Sequence, residues 1–597
     1  MRTIFLRIYF VYLYYPSHPI CISINSIAMK RVILLFLLVN VVCISYANNI
    51  SIQKVAITDT NKTAKTAAIR FNISWDNSWR DEVNWDAAWI FVKFRRPQDS
   101  VWRYRHMTLS QTGNSTGTGS TTMKFAIPDD RKGAFYYRSG VGAGNVKMDS
   151  VKLFWNYAAD SVTVIDSVEV KVFATEMVYV PQGNFALGDG NGTQRSYNSF
   201  QIKNAPNNFV TITDKWSPLV NTFIDLNNLG GYDDSKLYID GIRISGINGI
   251  DINNDKISDF PDFPTGYRSF YCMKYPVTQG QYTDMLNTLS LRDTVLQWQQ
   301  YYDTIRLKKI NPKYKQALQN LDPFYSSIPN DMQRHTILLD SNEAKYFVSR
   351  PDRALGRSEI NYYETFSDWS AMRLMTELEY EKAARGPLPP MYKAYRQNNN
   401  FNWSSDTTNN WSGFDWPWGN DSTIARENNS GSNSSFRTLT YSGAENGTEF
   451  FSNYNIYKRY INPSINNMLG GTGPTSGGDG GSGPIRVGIF ATDTSSRISS
   501  GSTYYGIMDF SKNVPQLVVS ISNTISRGLS YKKHGDGSLN YLGRIDQNEF
   551  STTLNNMYYG LSRDHFKQKT GAISERYNVD YGRPLGFRSV RTAPADN

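Results

Sequence analysis

The chain is 597 residues long, with 40% hydrophobic residues, 19% charged residues and a formal net charge of +10. That length exceeds one ordinary core and predicts two or three domains, while the apolar content excludes a wholly disordered chain. Aromatic residues reach 14%, with 39 Tyr and 13 Trp, which favours β-rich or loop-rich architecture over a helical bundle.

The first feature in chain order is Lys30-Arg31 followed by Val-Ile-Leu-Leu-Phe-Leu-Leu-Val-Asn-Val-Val. These read as the charged and apolar regions of a secretory signal peptide, and Ser45-Tyr46-Ala47 supplies a small-x-small cleavage site. Met29 directly precedes the charged pair and is the expected start, so residues 1–47 are read as a leader. The apolar run falls short of the roughly 20 residues needed to span a bilayer, so no transmembrane span is expected in the mature chain. Export places the protein in the periplasm, at the outer membrane or outside the cell. Without the leader, 59 basic residues face 53 acidic ones. No basic cluster stands out, which argues against a nucleic-acid partner. Cys21 and Cys43 leave with the leader and only Cys272 remains. The mature chain therefore has no internal disulfide and folds on its core alone. Cys272 lies in the apolar run Phe270-Tyr-Cys-Met and is read as a buried small hydrophobe.

Residues 48–175 read as a β-sandwich domain of immunoglobulin or jelly-roll type. Period-two alternation marks Ala68-Ile-Arg-Phe-Asn-Ile-Ser-Trp75, Trp89-Ile-Phe-Val-Lys-Phe94 and Val168-Glu-Val-Lys-Val-Phe173, with turn-rich segments such as 112–119 between them. Trp75, Trp79, Trp85 and Trp89 fall close together. A sugar-stacking platform is one use of such a cluster; core packing and strand-edge anchoring are the preferred reading. Asp-Ser-Val recurs at 99, 149, 160 and 166, the short acceptor pattern of Bacteroidetes-type O-glycosylation.

A second domain is expected over 176–597, interrupted by a polar insertion at about 188–265. Within the insertion, Asp251, Asn253 and Asp255 occupy positions one, three and five of a twelve-residue calcium loop. Ile257 would offer its carbonyl at seven, Asp259 fits nine and Asp262 closes at twelve. Alternate oxygens on a tightly turned chain suit a hard cation taking six to eight ligands. Lys256 replaces the glycine that makes the sharp turn, and Pro261 argues against a following helix, so this is no full EF-hand. Calcium is the expected cofactor, and a solvated Asp/Asn turn is the alternative.

The run Arg373-Leu-Met-Thr-Glu-Leu-Glu-Tyr-Glu-Lys-Ala-Ala-Arg-Gly-Pro387 predicts a short helix with both ends written in. Thr376 and Glu379 have capping-box spacing, Gly386 stands at the C-cap, and Pro387 blocks continuation. Glu381 and Arg385, four apart, predict a surface ion pair. Ala383 and Ala384 leave one side slim enough for close packing. Further on, the glycine run between 466 and 484 reads as a flexible loop and lacks the strand-to-helix context of a phosphate-binding fingerprint.

The run Arg373–Pro387 resembles the Arg-Leu-Pro-Thr-Glu-Ala-Glu-Trp-Glu-Tyr-Ala-Ala-Arg-Gly signature of the formylglycine-generating enzyme, or sulfatase-modifying factor, family. Other segments resemble that family in the correct order: Met177–Gly188, Phe270–Tyr282, Trp416-Pro-Trp-Gly-Asn420, Gly506–Val514, Arg527-Gly-Leu-Ser-Tyr531 and Gly586-Phe-Arg588 with Arg591. The resemblance implies an α+β class, with a C-type-lectin-like sulfatase-modifying-factor fold behind the N-terminal β-sandwich.

Active members of the family hold copper on two cysteines in the C-terminal half and oxidise a substrate cysteine with oxygen. Soft Cu(I) needs thiolates, and this chain has no cysteine after Cys272. Related sulfoxide synthases bind iron through His-x-x-x-His-x-Glu, whereas His106, His335, His534 and His565 are scattered singly. Neither copper nor iron is expected. The family's Trp-Glu-Trp becomes Pro515-Gln516-Leu517 and its preceding Gly becomes Lys512, which removes a carboxylate. No serine-histidine-acid arrangement is recognisable. The resulting reading is an exported pseudoenzyme that binds an envelope protein or a glycan, by analogy with degenerate Bacteroidetes relatives among gliding and secretion components. An active oxidase of the family and a carbohydrate-binding module are the alternatives.

Overall fold

The computed structural model describes residues 50–96, 104–187, 210–213, 264–288, 351–355, 366–390, 486–488, 497–500, 502–510, 516–518 and 586–595, together with short isolated strands. The calcium-loop residues Asp251 to Asp262, the leader, and the Trp416 and Arg527 motifs lie outside the described residues. Ser45–Asn597 form one compact unit. It is mostly β-sheet with few helices, and no described helix is long and apolar enough to cross a membrane.

The N-terminal region is β-rich. Strands β1 (Ser51–Asn61), β2 (Thr66–Arg80), β3 (Asp86–Arg95), β4 (Arg105–His106), β5 (Thr118–Gly119), β6 (Met123–Ala126), β7 (Ala134–Arg138), β8 (Gly142–Asn156) and β9 (Glu169–Val180) follow in order. An antiparallel sheet in the order β1-β2-β8-β5 covers one side. Its inward residues alternate as a half-buried strand requires: Ile69, Phe71, Ile73 and Trp75 from β2 meet Val151, Leu153 and Trp155 from β8.

The second sheet has eight strands and is the centre of the molecule. Its order is Arg373–Leu374, Ser589–Thr592, β12 (Phe270–Met273), β9, β3, β7 and β6, with β4 on β3. Every residue of β3 except Arg95 is buried, because both of its faces are covered. Ala88, Ile90, Val92 and Phe94 point into the core shared with β2 and β8. Ala87, Trp89 and Phe91 point the other way, into a second core with Tyr271, Met273, Tyr282, Trp369 and Phe587. Trp75, Trp85 and Trp89 are all core residues, with the Trp85 ring stacked at 4.0 Å on Tyr179.

Strand β9 carries the connection between the two halves. Residues 169–178 pair with β3 and residues 177–180 with β12, so the expected boundary at 175/176 falls inside one strand. β10 (Phe185–Leu187) and β11 (Val210–Ile212) then form a small hairpin. Helix α1 (Gln279–Leu286) follows β12 and begins with a capping box between Thr278 and Gln281.

Helix α2 (Glu377–Arg385) is the helix expected after Arg373. Thr376 Oγ1 accepts from the Glu379 N–H at 3.2 Å, and Glu379 Oε2 accepts from the Thr376 N–H at 3.0 Å, which satisfies two orphan donors. Gly386 ends it at φ +72°, where a Cβ would stand 2.4 Å from the Tyr504 ring. The Glu381–Arg385 pair departs from expectation, for both side chains are buried. The cause is packing on both sides of the helix. Arg385 Nη1 donates to the Ala186 carbonyl at 2.6 Å, and Ala383 and Ala384 join a core with Tyr505 and Ile507.

Arg373 makes a two-pronged bond to Glu379, at 2.6 and 2.7 Å, with both side chains 2% exposed. Arg373→Met should therefore cost about 3–5 kcal/mol, the penalty for stranding a buried carboxylate. Arg373→Met with Glu379→Gln, which keeps the cap but removes the charge, should recover much of that loss in chemical denaturation.

Candidate functional site

A buried polar cluster lies where β3, β9 and β12 run side by side. Its centre is Lys274, the residue after β12. Lys274 Nζ donates to Glu176 Oε2 at 2.9 Å and approaches Asp86 Oδ2 at 3.5 Å, with all three side chains at most 3% exposed. Asp86 also accepts from Ser78 Oγ and the Trp79 N–H, each at 2.9 Å, and from Trp75 Nε1 at 3.2 Å. Its charge is thus spread over four donors. Glu176 is less well served, for its Oε1 has no hydrogen-bond partner among the described residues. Burial pushes the Glu176 carboxyl up and Lys274 opposes that shift.

Two further family-like arginines are buried nearby, Arg588 on the Cys272 face of the sheet and Arg591 on the Trp89 face. Arg588 donates through Nη1 to the Met273 carbonyl at 3.0 Å and through Nη2 to the Asp509 carbonyl at 2.7 Å and that of Met508. Burial lowers its pKa to about 10. Arg591 ties the halves together: it binds Asp130 Oδ1 at 2.5 Å and the Ala371 carbonyl, and lies 4.4 Å from the Trp89 ring. Asp509 accepts from the Gly488 N–H at 2.6 Å. Lys382 of α2 is buried, donates to the Gly266 and Tyr267 carbonyls, and is lowered to about 7 by desolvation.

Cys272 sits in the middle of β12, fully buried among Val178, Val180, Met375 and Val590. Burial pushes its thiol up to about 12, the state of an inert core cysteine rather than a thiolate ligand. His106 is the one histidine among the described residues. Its Nε2 donates to the Asp368 carbonyl at 3.1 Å, and burial, then Lys93, holds its pKa well below the usual value. Gln516 is likewise buried.

Chemically, this arrangement joins strands; it presents no open nucleophile and no exposed acid–base pair among the described residues. Sequence reasoning missed Asp86, Glu176 and Lys274. A charged residue set among apolar strand residues, in Asn84-Trp-Asp86, Thr175-Glu-Met177 and Met273-Lys-Tyr275, was the available signal.

Lys274→Met would leave two buried carboxylates without their cation and should cost about 3–5 kcal/mol at neutral pH. The folded form would then bind a proton at Glu176 that the unfolded chain releases. Stability in the variant should fall as pH rises above the ordinary carboxylate range, a slope measurable by denaturant titration at successive pH values.

Residues 245–459 match the model of the Sulfatase-modifying factor enzyme 1-like domain. No curated protein matches the chain. The matched span includes β12, α1 and α2, the elements that carry Lys274 and the Arg373–Glu379 pair. This chain carries a sulfatase-modifying-factor-like domain whose strand β12 lies in one sheet with the N-terminal β-rich region.

Proposed function

We propose that this protein is an exported, non-catalytic member of the sulfatase-modifying-factor type, with a C-type-lectin-like domain and a binding or assembly role at a bacterial cell envelope. The observation that carries this reading is Cys272. It is the only thiol left once the leader is removed, and it is buried in β12. Copper oxidation of a substrate cysteine needs a pair of thiolates, because soft Cu(I) is poorly held by oxygen ligands. One inert core thiol cannot supply that pair. Gln516, uncharged and buried where the family pattern has an acid, supports the same conclusion.

A binding role suits what remains. The fold retains the family's structural residues, and its two cores form a rigid base from which loops can present a surface to a protein or glycan partner. The proposed calcium site at Asp251, Asn253, Asp255, Ile257, Asp259 and Asp262 would organise one such loop, as six alternating oxygens do for a hard cation.

Two experiments test this. Incubation of the mature chain with copper, oxygen and a Cys-x-Pro-x-Arg peptide should leave the peptide cysteine unchanged by mass spectrometry; formylglycine formation would sink the proposal. Calcium removal by chelation should lower the melting temperature of the wild type and leave Asp255→Ala unmoved. Identical behaviour of the two proteins would dispose of the calcium site.

A further inference from the structure

Lys274, Glu176 and Asp86 lie on one face of the central sheet. The Lys274 N–H donates to the Glu176 carbonyl at 2.9 Å, so the two residues stand opposite each other, and Glu176 pairs in turn with Ala88 of β3. Asp86 is two residues before Ala88 in the same strand, which puts its side chain on the same face. All three side chains are at most 3% exposed. Lys274 Nζ lies 2.9 Å from Glu176 Oε2 and 3.5 Å from Asp86 Oδ2, with the buried rings of Trp75 and Tyr275 beside them.

One ammonium facing two carboxyls in a space closed to water is electrically neutral only when the carboxyls share a proton, and burial pushes Glu176 towards carrying one. The two carboxyls are held differently. Asp86 Oδ1 accepts from Ser78 Oγ and the Trp79 N–H, each at 2.9 Å, and Oδ2 accepts from Trp75 Nε1 at 3.2 Å. Those donors draw electron density from the carboxyl carbon and stand where charge would develop on Oδ1 during an addition to it. Glu176 Oε1 has no hydrogen-bond partner among the described residues, and Oε2 is bound to Lys274. Glu176 is thus equipped to carry protons, and Asp86 to be attacked.

We propose that Lys274 and Asp86 join through an amide bond, an intramolecular cross-link that the chain forms by itself with Glu176 as proton carrier. In the reacting form Nζ passes one proton to Glu176, and the shared carboxyl proton sits on Asp86 Oδ2. The Nζ lone pair adds to Asp86 Cγ and the Cγ–Oδ2 bond breaks. Oδ2 leaves as water, with its own proton and a second one relayed from Nζ through Glu176. Nζ keeps one hydrogen as the amide N–H, Oδ1 becomes the amide carbonyl, and Glu176 ends protonated. No oxidant or cofactor takes part. Enforced contact and exclusion of water favour a condensation that bulk water opposes. The bond ties β3 to the end of β12 across β9 and closes a loop between residues 188 apart, which restricts the unfolded chain. The reaction occurs once, within the chain, and is independent of the role proposed towards other molecules.

The test is intact-mass spectrometry of the mature chain, held folded at neutral pH and then denatured. The wild type should weigh one water less than its sequence requires, while Lys274→Arg and Glu176→Gln should carry the full mass. Dehydration elsewhere in the chain also removes one water, so the site is read from tryptic fragments. The fragment containing Asp86 should be found joined to one that runs through an uncleaved Lys274. A wild-type chain of full mass would overturn the proposal without recourse to any variant, so a substitution that fails to fold does not blunt the test. A bond from Lys274 to Glu176 would overturn Asp86 as the carboxyl attacked. Water loss that persists in Lys274→Arg would place the dehydration elsewhere and likewise overturn it.

Discussion

The structure depends on a strand that belongs to both halves of the chain. β9 pairs with β3 along one stretch and with β12 along the next, so the sheet of the N-terminal region and that of the sulfatase-modifying-factor-like domain are the same sheet. Lys274 holds the junction electrostatically, drawing Glu176 of β9 and Asp86 of β3 to the end of β12. Such a buried arrangement adds little net stability by itself, since desolvation offsets the attraction. What it contributes is register. A one-residue slip of β12 against β9 would turn Lys274 away from its partners and every apolar side chain to the wrong face.

Packing makes the same point. Trp89 Nε1 donates to the Ser370 carbonyl at 2.8 Å, and Trp85 Nε1 donates to the Tyr271 hydroxyl at 3.1 Å. Aromatic side chains from one half thus find their polar partners in the other, the usual condition for burying Trp. Arg591 completes the arrangement from the far end of the chain through Asp130. These contacts are what the residues resembling the family's signature do in this fold. They hold the fold, and the fold does not depend on the chemistry.

The setting of Cys272 is also physically informative. Cys272 is central in a strand covered on both faces, so its thiol is held protonated by desolvation. A reactive cysteine needs a partly exposed, electropositive setting. Arg588 lies near enough to act electrostatically on Cys272, but its own fork is committed to backbone carbonyls.

Local features were legible in the sequence because local physics decides them. Helix α2, its Thr376–Glu379 cap and its Gly386 stop follow from residues within one turn of each other. The apolar strand at Phe270–Met273 and the burial of Cys272 follow from composition alone, and the ordered run of motifs was enough to name the domain. What spacing could not show was partnership between distant segments. The burial of Glu381 and Arg385 depends on β10 and on residues 502–510, and the double-sided burial of β3 depends on chain some two hundred residues away. Lys274 finding Asp86 and Glu176 likewise required the fold. A side chain's charge is written in the sequence, but the cost of burying it, and the partner that offsets that cost, are set only when the sheets close.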